Sequence, residues 1–450
     1  MRSYTFLHIA FVFTLCMFIG GSVDKVDADS NQMSFLDNGV VKIGIDLDLG
    51  GTITYFADLK SGENVINSHD KGRVIQQSYY SGPRPFGTPN PGYRNWPWNP
   101  VGCGDTYGNR ATVLEYRNDG KVLYVKERPL QWALNNVPCE CTFETWIELQ
   151  NYTARIRNRL TNHRSDKKQY PAFNQELPAV YTIGKLYRLF TYTGPAPFTN
   201  APSIQIIDSK PPAWKTWFAS ENWAALVNDK GWGLGVYNQG VYYFAGGFHG
   251  KPNVGGPLDD STGYIGPLYR EIIDNNIVYE YQYQLILGSL EQIRQAAYAS
   301  QIDSKPNYLF GPDRQHWFYN NCRDNGVPTK GPITIILDKN DPQLIGPPSL
   351  WQATDIPTLY IRAAIRSKMN QAAIYFTNYG DPIFKFSESK KINFNIVPDG
   401  QTRIYKINMT SSPNYKGLIT GIRFDPVPSS MPGEYIILDS ITWDSDFVSQ

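Results

Sequence analysis

Three stretches of this 450-residue chain crowd ionisable and aromatic side chains into loops rich in glycine and proline. The first runs from Asn67 to Asp105 and holds His69-Asp70-Lys71-Gly72-Arg73, Gln76-Gln77-Ser78-Tyr79-Tyr80, Trp96-Pro97-Trp98-Asn99-Pro100 and Gly102-Cys103-Gly104-Asp105. Long loops this dense in hydrogen-bonding groups and rings are more often functional than structural. Their donors, acceptors and flat rings suit a ligand that presents hydroxyl groups and apolar C–H faces together. His69, Arg73, Gln76, Tyr79, Trp96 and Trp98 are the binding candidates. In the second stretch, Phe173 to Tyr181, Glu176 stands among apolar neighbours. Desolvation there raises a carboxyl group toward general-acid use; an arginine partner would make it an ordinary loop ion pair. The third stretch is Glu221-Asn222-Trp223, with His249 downstream in Gly246-Gly247-Phe248-His249-Gly250, and Trp223 is a further binding candidate.

Two chemistries fit these residue types. Hydrolysis of a glycosidic bond needs two carboxyl groups flanking it, and Asp105, Glu176 and Glu221 are the candidates. Eliminative cleavage needs a base and an acid beside a uronate carboxylate, for which His249 or a tyrosine would serve. The motifs of other familiar chemistries are missing: no G-x-S-x-G elbow, HExxH pair, Walker loop or Rossmann fingerprint occurs. Gly231 to Gly235 is glycine-rich but lies in strand context without a phosphate-binding helix. No cofactor and no metal site is expected.

The elements that must carry these residues read mostly as strands. Val41, Ile43, Ile45, Leu47 and Leu49 alternate with polar or small residues, Gly50-Gly51 turns, and Thr52 to Phe56 returns. In a second hairpin, Phe143, Thr145, Ile147 and Leu149 oppose Ala154, Ile156, Asn158 and Leu160, with Asn151 at the bend. Its outer face sets Glu144 and Glu148 against Arg155, Arg157 and Arg159, and cross-strand pairing is preferred over an acidic-substrate patch. Further strands are expected over 223–237, 241–244 and 277–287. One helix follows: Ser289 caps it, Gln292 takes the capping-box position, and Leu290, Ile293, Ala296 and Ala297 form its apolar stripe. After a boundary placed at 301–330, regularly spaced strands resume at Ile333 to Leu337, at Leu359 to Ile365 and at Ile392 to Ile396. Pro398-Asp399-Gly400 has hairpin-turn chemistry, Ile404 to Met409 returns, and Tyr435 to Trp443 closes the sheet. The fold class is mostly β: a β-sandwich over 35–300, a linker over 301–330, and a second sandwich or jelly roll over 331–447.

Composition narrows the partners. The 42 basic and 41 acidic residues leave no polybasic field, which argues against nucleic acid and anionic membranes. With 30 Tyr, 11 Trp, 38 Gly and 32 Pro, the chain suits a β protein with broad loops. Arg2, the apolar run Phe6 to Ile19 and the small residues Gly20 to Ser22 predict a secretory signal peptide over 1–22 and an extracellular location. Loss of Cys16 with it leaves Cys103, Cys139, Cys141 and Cys322 as disulfide candidates. Two bonds in three possible pairings are open, and a bond between Cys139 and Cys141 is disfavoured as strained. Asn151 and Asn408 begin glycosylation acceptor triplets.

Gly50 to Asp58, followed by Gly62 to Asn67, resembles the opening of galactose-mutarotase-like β-supersandwich domains, and the resemblance spans about 35–300. It implies a concave face that binds sugar, with His69 to Tyr80 and Glu221 to Tyr237 near it. The second half resembles galactose-binding-like jelly rolls through Trp351, Pro357 to Arg362, Phe394, Pro398 to Gly400, Gly421 to Pro426 and Leu438 to Ile441. Arg423 and Asp425 read as an ion pair, and Trp351, Tyr360 and Trp443 as either binding-face or core aromatics. The resulting expectation is a secreted carbohydrate-active protein, a glycoside hydrolase or polysaccharide lyase acting on an extracellular glycan. The alternative is a non-catalytic glycan-binding or extracellular-matrix protein. The sequence leaves catalysis and oligomeric state open.

Overall fold

Alternating apolar and polar residues build strands such as Thr153–Asn162, and runs buried on both faces build others, such as Trp223–Val227 and Thr262–Glu271, in the computed structural model, which describes residues 32–206, 214–302, 304–328 and 331–448. The signal peptide predicted over 1–22 lies outside the described residues. Among those described, four antiparallel sheets and one α-helix form a mostly β, sandwich-like layout. The first sheet runs in the order Met33–Asp37, Val41–Asp46, Thr52–Asp58, Ile75–Ser78, Phe173–Ile183, Thr262–Glu271, Tyr243–His249 and Trp214–Phe218. The second contains Ile204–Ile206, Arg188–Thr191, Trp223–Val227, Trp232–Tyr237, Val278–Ser289, Thr153–Asn162, Cys141–Gln150, Val122–Arg128 and Thr112–Asn118 in that order. Leu177, Val180, Phe244 and Ile265 of the first sheet share one buried cluster with Phe143, Ile156, Leu226 and Leu285 of the second.

The second hairpin has the register its alternation predicts: Ala154 faces Leu149, Ile156 faces Ile147, Asn158 faces Thr145 and Leu160 faces Phe143. Its outer charges pair, with Arg159 3.5 Å from Glu144 and 2.5 Å from Glu280. The first hairpin differs from expectation at its end. The strand stops at Asp46, and Leu47–Leu49 forms a 3-10 turn because the Asp46 carboxylate accepts the Asp48 N–H at 2.9 Å. Gly50 and Gly51, at φ 67° and 76°, then supply the left-handed backbone that reverses the chain. The helix spans Leu290–Tyr298, and both capping-box hydrogen bonds between Ser289 and Gln292 are present.

The remaining sheets draw on residues from Asn307 onward. One contains Arg323–Asp324, Ile333–Leu337, Glu434–Thr442, Thr358–Arg366 and Asp399–Asn408, with Asn307–Leu309 added beside Glu434–Thr442. The other contains Phe318–Asn320, Gln343–Ile345, Leu418–Asp425, Gln371–Asn378 and Lys391–Asn395, with Trp351–Gln352 added. Pro398 to Gly400 is therefore not a hairpin turn. Lys391–Asn395 pairs with Gln371–Asn378, whereas Asp399–Asn408 pairs with Thr358–Arg366, so the segment crosses between sheets. Three short strands lie within the stretch read as a linker.

The cysteine expectation is corrected as well. Cys139 and Cys141 form a disulfide, while Cys103 is a buried free thiol and Cys322 a half-buried one. A fully extended chain would hold residues two apart at roughly 7 Å. Here the chain bends at Glu140, and the two Cα atoms are 5.0 Å apart, within disulfide range.

Candidate functional site

Strand Phe173–Ile183 lies inside the first sheet, between Ile75–Ser78 and Thr262–Glu271. Its register shifts between Glu176 and Ala179, so Leu177 and Val180 enter the core while Glu176, Ala179 and Tyr181 share the outer face. Cross-strand pairing lays that face out in rows. Tyr181 is opposite Tyr264, Tyr264 opposite Gly247, and Gly247 opposite Trp214. The next outward row has Gly266 opposite Ala245 and Ala245 opposite Thr216. Beyond it Ser78, Glu176, Leu268 and Tyr243 follow one another across the sheet.

The small middle row has a purpose that can be measured. A Cβ on Gly266 would lie 2.2 Å from the Tyr264 phenol oxygen, so the glycine lets that ring lie along the strand toward Glu176. Tyr264 donates its hydroxyl to Glu176 Oε1, and Tyr80 donates to Oε2 at 2.9 Å. Tyr80 is itself fixed by Gln175, whose side chain accepts its N–H at 2.7 Å and donates to its carbonyl at 2.8 Å. Burial raises the Glu176 pKa, and the two phenol donors, which favour the carboxylate, pull it part of the way back. Burial followed by the charge of Glu176 holds both tyrosines well above the usual phenol value. The outcome is one carboxyl gripped by two neutral donors. Half-buried rings flank it: Tyr181 and Trp214 contact Tyr264 at centroid distances of 4.9 and 5.1 Å, and Trp96 approaches Tyr80 at 6.3 Å.

Of the residues singled out from sequence, Glu176 and Trp96 meet here. The others go elsewhere. Asp105 accepts four hydrogen bonds, from the Tyr107, Asn109 and Asn136 N–H groups and the Asn109 side chain, and so organises its own loop. Glu221 is fully buried and takes Arg294 at 2.8 and 2.9 Å, together with the Trp223 indole N–H and the Tyr298 hydroxyl. Trp223, Trp98 and Tyr79 are buried in the interior, and Gln76 braces the loop by donating to the Lys71 and Arg73 carbonyls. His69, Arg73 and His249 gather around Asp260, with ion-pair distances of 3.9, 2.7 and 3.6 Å. His249 is opposite Thr262, whereas Glu176 is opposite Leu268. Six residues of strand place those rows ~20 Å apart, too far for both groups to serve one bond.

In the second half Trp351 is buried and donates to the Tyr415 hydroxyl at 3.1 Å. Trp443 is half-buried under the Lys305 ammonium at 4.6 Å, and Tyr360 is half-buried. Arg423 grips Asp425 through two hydrogen bonds of 2.7 and 2.5 Å, the ion pair expected of them. Among the described residues no cluster of three or more His, Cys, Asp or Glu can hold a metal ion.

Sequence reasoning missed Tyr80, Tyr181, Tyr264 and Trp214. Alternation does point to Tyr80, since a strand that turns Tyr79 inward turns its neighbour outward. Tyr264 meets Glu176 across 88 residues of sequence, which no local pattern announces.

No family model matches the chain, and no curated protein matches it. Among solved structures it is similar to a galactose mutarotase related enzyme from Lactobacillus acidophilus, at 11% identity over 57% of this chain and 97% of that one, with a TM-score of 0.40. A galactose mutarotase-like protein from Lactobacillus casei aligns at 13% identity over 57% and 99% of the two chains, with a TM-score of 0.35. The alpha-galactosidase from Lactobacillus brevis aligns at 10% identity over 64% of this chain and 45% of its own, with a TM-score of 0.36.

Proposed function

We propose that this chain is a secreted glycan-active protein whose ligand lies on the outer face of the first sheet, with Glu176 as its acid–base group. One observation carries the reading: a desolvated carboxyl held by two phenols instead of a cation, bordered by half-buried tryptophan and tyrosine rings. Aromatic faces accept the C–H faces of pyranose rings, and the hydroxyls of a sugar can exchange with the phenol donors around Glu176. Asp105 and Glu221 are engaged in other networks, which weakens the two-carboxylate hydrolytic reading. Elimination or another proton-transfer reaction through Glu176 and a tyrosine fits better. The extracellular assignment is supported by the N-terminal apolar run and by the exposed acceptors Asn151, in a hairpin turn, and Asn408, at the end of a strand.

The test is a glycan-array screen of the full chain, followed by assays for new reducing ends and for unsaturated products on every polysaccharide bound. Binding with unsaturated products supports the lyase-type reading. Binding without cleavage of any kind leaves the non-catalytic alternative, which the complete hydrogen bonding of Glu176 at rest favours. Absence of binding overturns both.

A further inference from the structure

We infer that the ligand of this face is a chain of several sugar units lying across the strands, with Glu176 beneath an internal unit. The inference rests on the glycan reading above and adds the size of the ligand and its direction. Rings continue without a break on both sides of the carboxyl. On one side Tyr264, bonded to Glu176, touches Trp214 at a centroid distance of 5.1 Å. On the other, Tyr80 leads to Trp96 at 6.3 Å, Trp96 to Tyr93 at 5.0 Å, and Tyr93 to Trp132 at 6.2 Å.

Trp214 belongs to the edge strand, and four strand spacings separate it from strand Ile75–Ser78, which delivers Tyr80. That backbone crossing is ~19 Å, several times the width of one pyranose ring, and Trp96, Tyr93 and Trp132 follow on the Tyr80 side of the carboxyl. A site for a single small molecule closes around its ligand and buries most of it. Here half-buried rings, Trp214 on one side and Tyr80, Trp96, Tyr93 and Trp132 on the other, succeed one another in contact away from the carboxyl. Near-perpendicular packing, 84° for Tyr93 against Trp96 and 83° for Tyr93 against Trp132, fixes those rings in place before any ligand arrives, so little ordering cost opposes binding.

The experiment is calorimetric titration of the full chain with mono-, di-, tetra- and hexasaccharides of three homopolymers: a glucan, a galactan and a galacturonan. Within the series that binds, affinity is expected to rise about tenfold or more from disaccharide to hexasaccharide, the gain of one to two ring contacts. Trp132→Ala and Trp214→Ala should each lower hexasaccharide affinity by about tenfold while leaving the disaccharide within about twofold. The length series on the unaltered protein stands even if a variant fails to fold. Equal affinity for the monosaccharide and hexasaccharide overturns the chain inference and leaves the glycan reading intact. Loss confined to one of the two variants overturns the internal placement of Glu176. No binding in any series overturns the glycan reading, and the inference falls with it.

Discussion

Glu176 and Glu221 are both glutamates beside aromatic residues in largely apolar stretches, yet they end in opposite circumstances. Glu221 lies beside the second sheet at zero exposure, where the Arg294 guanidinium, the Trp223 indole, the Tyr298 hydroxyl and the Phe198 N–H converge on its two oxygens. Glu176, on the outer face of the first sheet, is held by two phenols, and half-buried rings pack against those phenols. Burial alone does not make a carboxyl useful. A charge-compensated carboxylate joins helix to sheet, and taking it apart costs stability. A carboxyl held by neutral donors keeps a proton within reach of exchange. The arrangement of partners separates structure from chemistry.

Disrupting the structural member should give the larger effect. Glu221→Gln leaves the half-buried Arg294 without its countercharge, and urea unfolding should show a loss of about 1.5–3 kcal/mol, the worth of hydrogen bonds to a charged group. A loss below about 1 kcal/mol would show that the pair is not what docks the helix. Glu176→Gln should instead change unfolding by about 1 kcal/mol or less, since one amide can still accept a phenol hydroxyl. Turnover on a cleaved glycan should drop about a hundredfold or more. Because burial favours its protonated form, the pH–rate limb set by Glu176 should lie above the ordinary glutamate value of about 4.3. A limb at or below that value would remove Glu176 from the acid–base role.

A smaller change probes how the second phenol is positioned. In Gly266→Ala the new methyl meets the Tyr264 oxygen and pushes the phenol off Glu176. Overpacking of this kind costs about 1–3 kcal/mol. Turnover should fall while binding of the same glycan, read by tryptophan fluorescence, changes little. Equal loss of both would mean that Tyr264 shapes the surface and does not serve the carboxyl.

The same contrast explains what was legible in the sequence. The second hairpin could be read to the residue because its pattern is local and Asn151, at φ 51°, turns it. The capping box of the helix was equally local. Glu176 stands out in the sequence because its neighbours are apolar, and Glu221 because a polar residue and a tryptophan follow it, but neither pattern reports which partners each carboxyl will meet. Trp98 and Trp223 drew attention as aromatics in polar company, yet both fill the interior. The ring wall of Tyr181, Tyr264 and Trp214 exists only once four strands are in register. Pro398 to Gly400 failed likewise: its residues fit a turn, but which sheet each flanking strand joins is decided by partners far along the chain.

Glu271 offers a third case and the smallest expected effect. It lies on the same strand as Tyr264, with its side chain buried, and bonds both the Tyr279 hydroxyl at 3.0 Å and His316 Nδ1 at 2.5 Å. His316 belongs to the segment leading into the second pair of sheets and stacks on Tyr269 at 4.1 Å. Beside one phenol, the second partner of Glu271 is thus neither a fixed cation nor another phenol but a group that titrates near neutrality. Burial lowers the His316 pKa, but the charge and hydrogen bond of Glu271 outweigh it and leave the value raised. A histidine raised in the folded state contributes stability that is complete below its unfolded value of about 6.5 and is lost as pH climbs through the folded value. With 39% of the His316 side chain exposed, solvent screens the pair and keeps the effect small. The melting temperature should therefore decline as pH rises above about 6.5, and His316→Asn should flatten that decline. A variant whose melting curve follows the parent at every pH would place Glu271 with Glu221, as a carboxylate whose partners are purely structural.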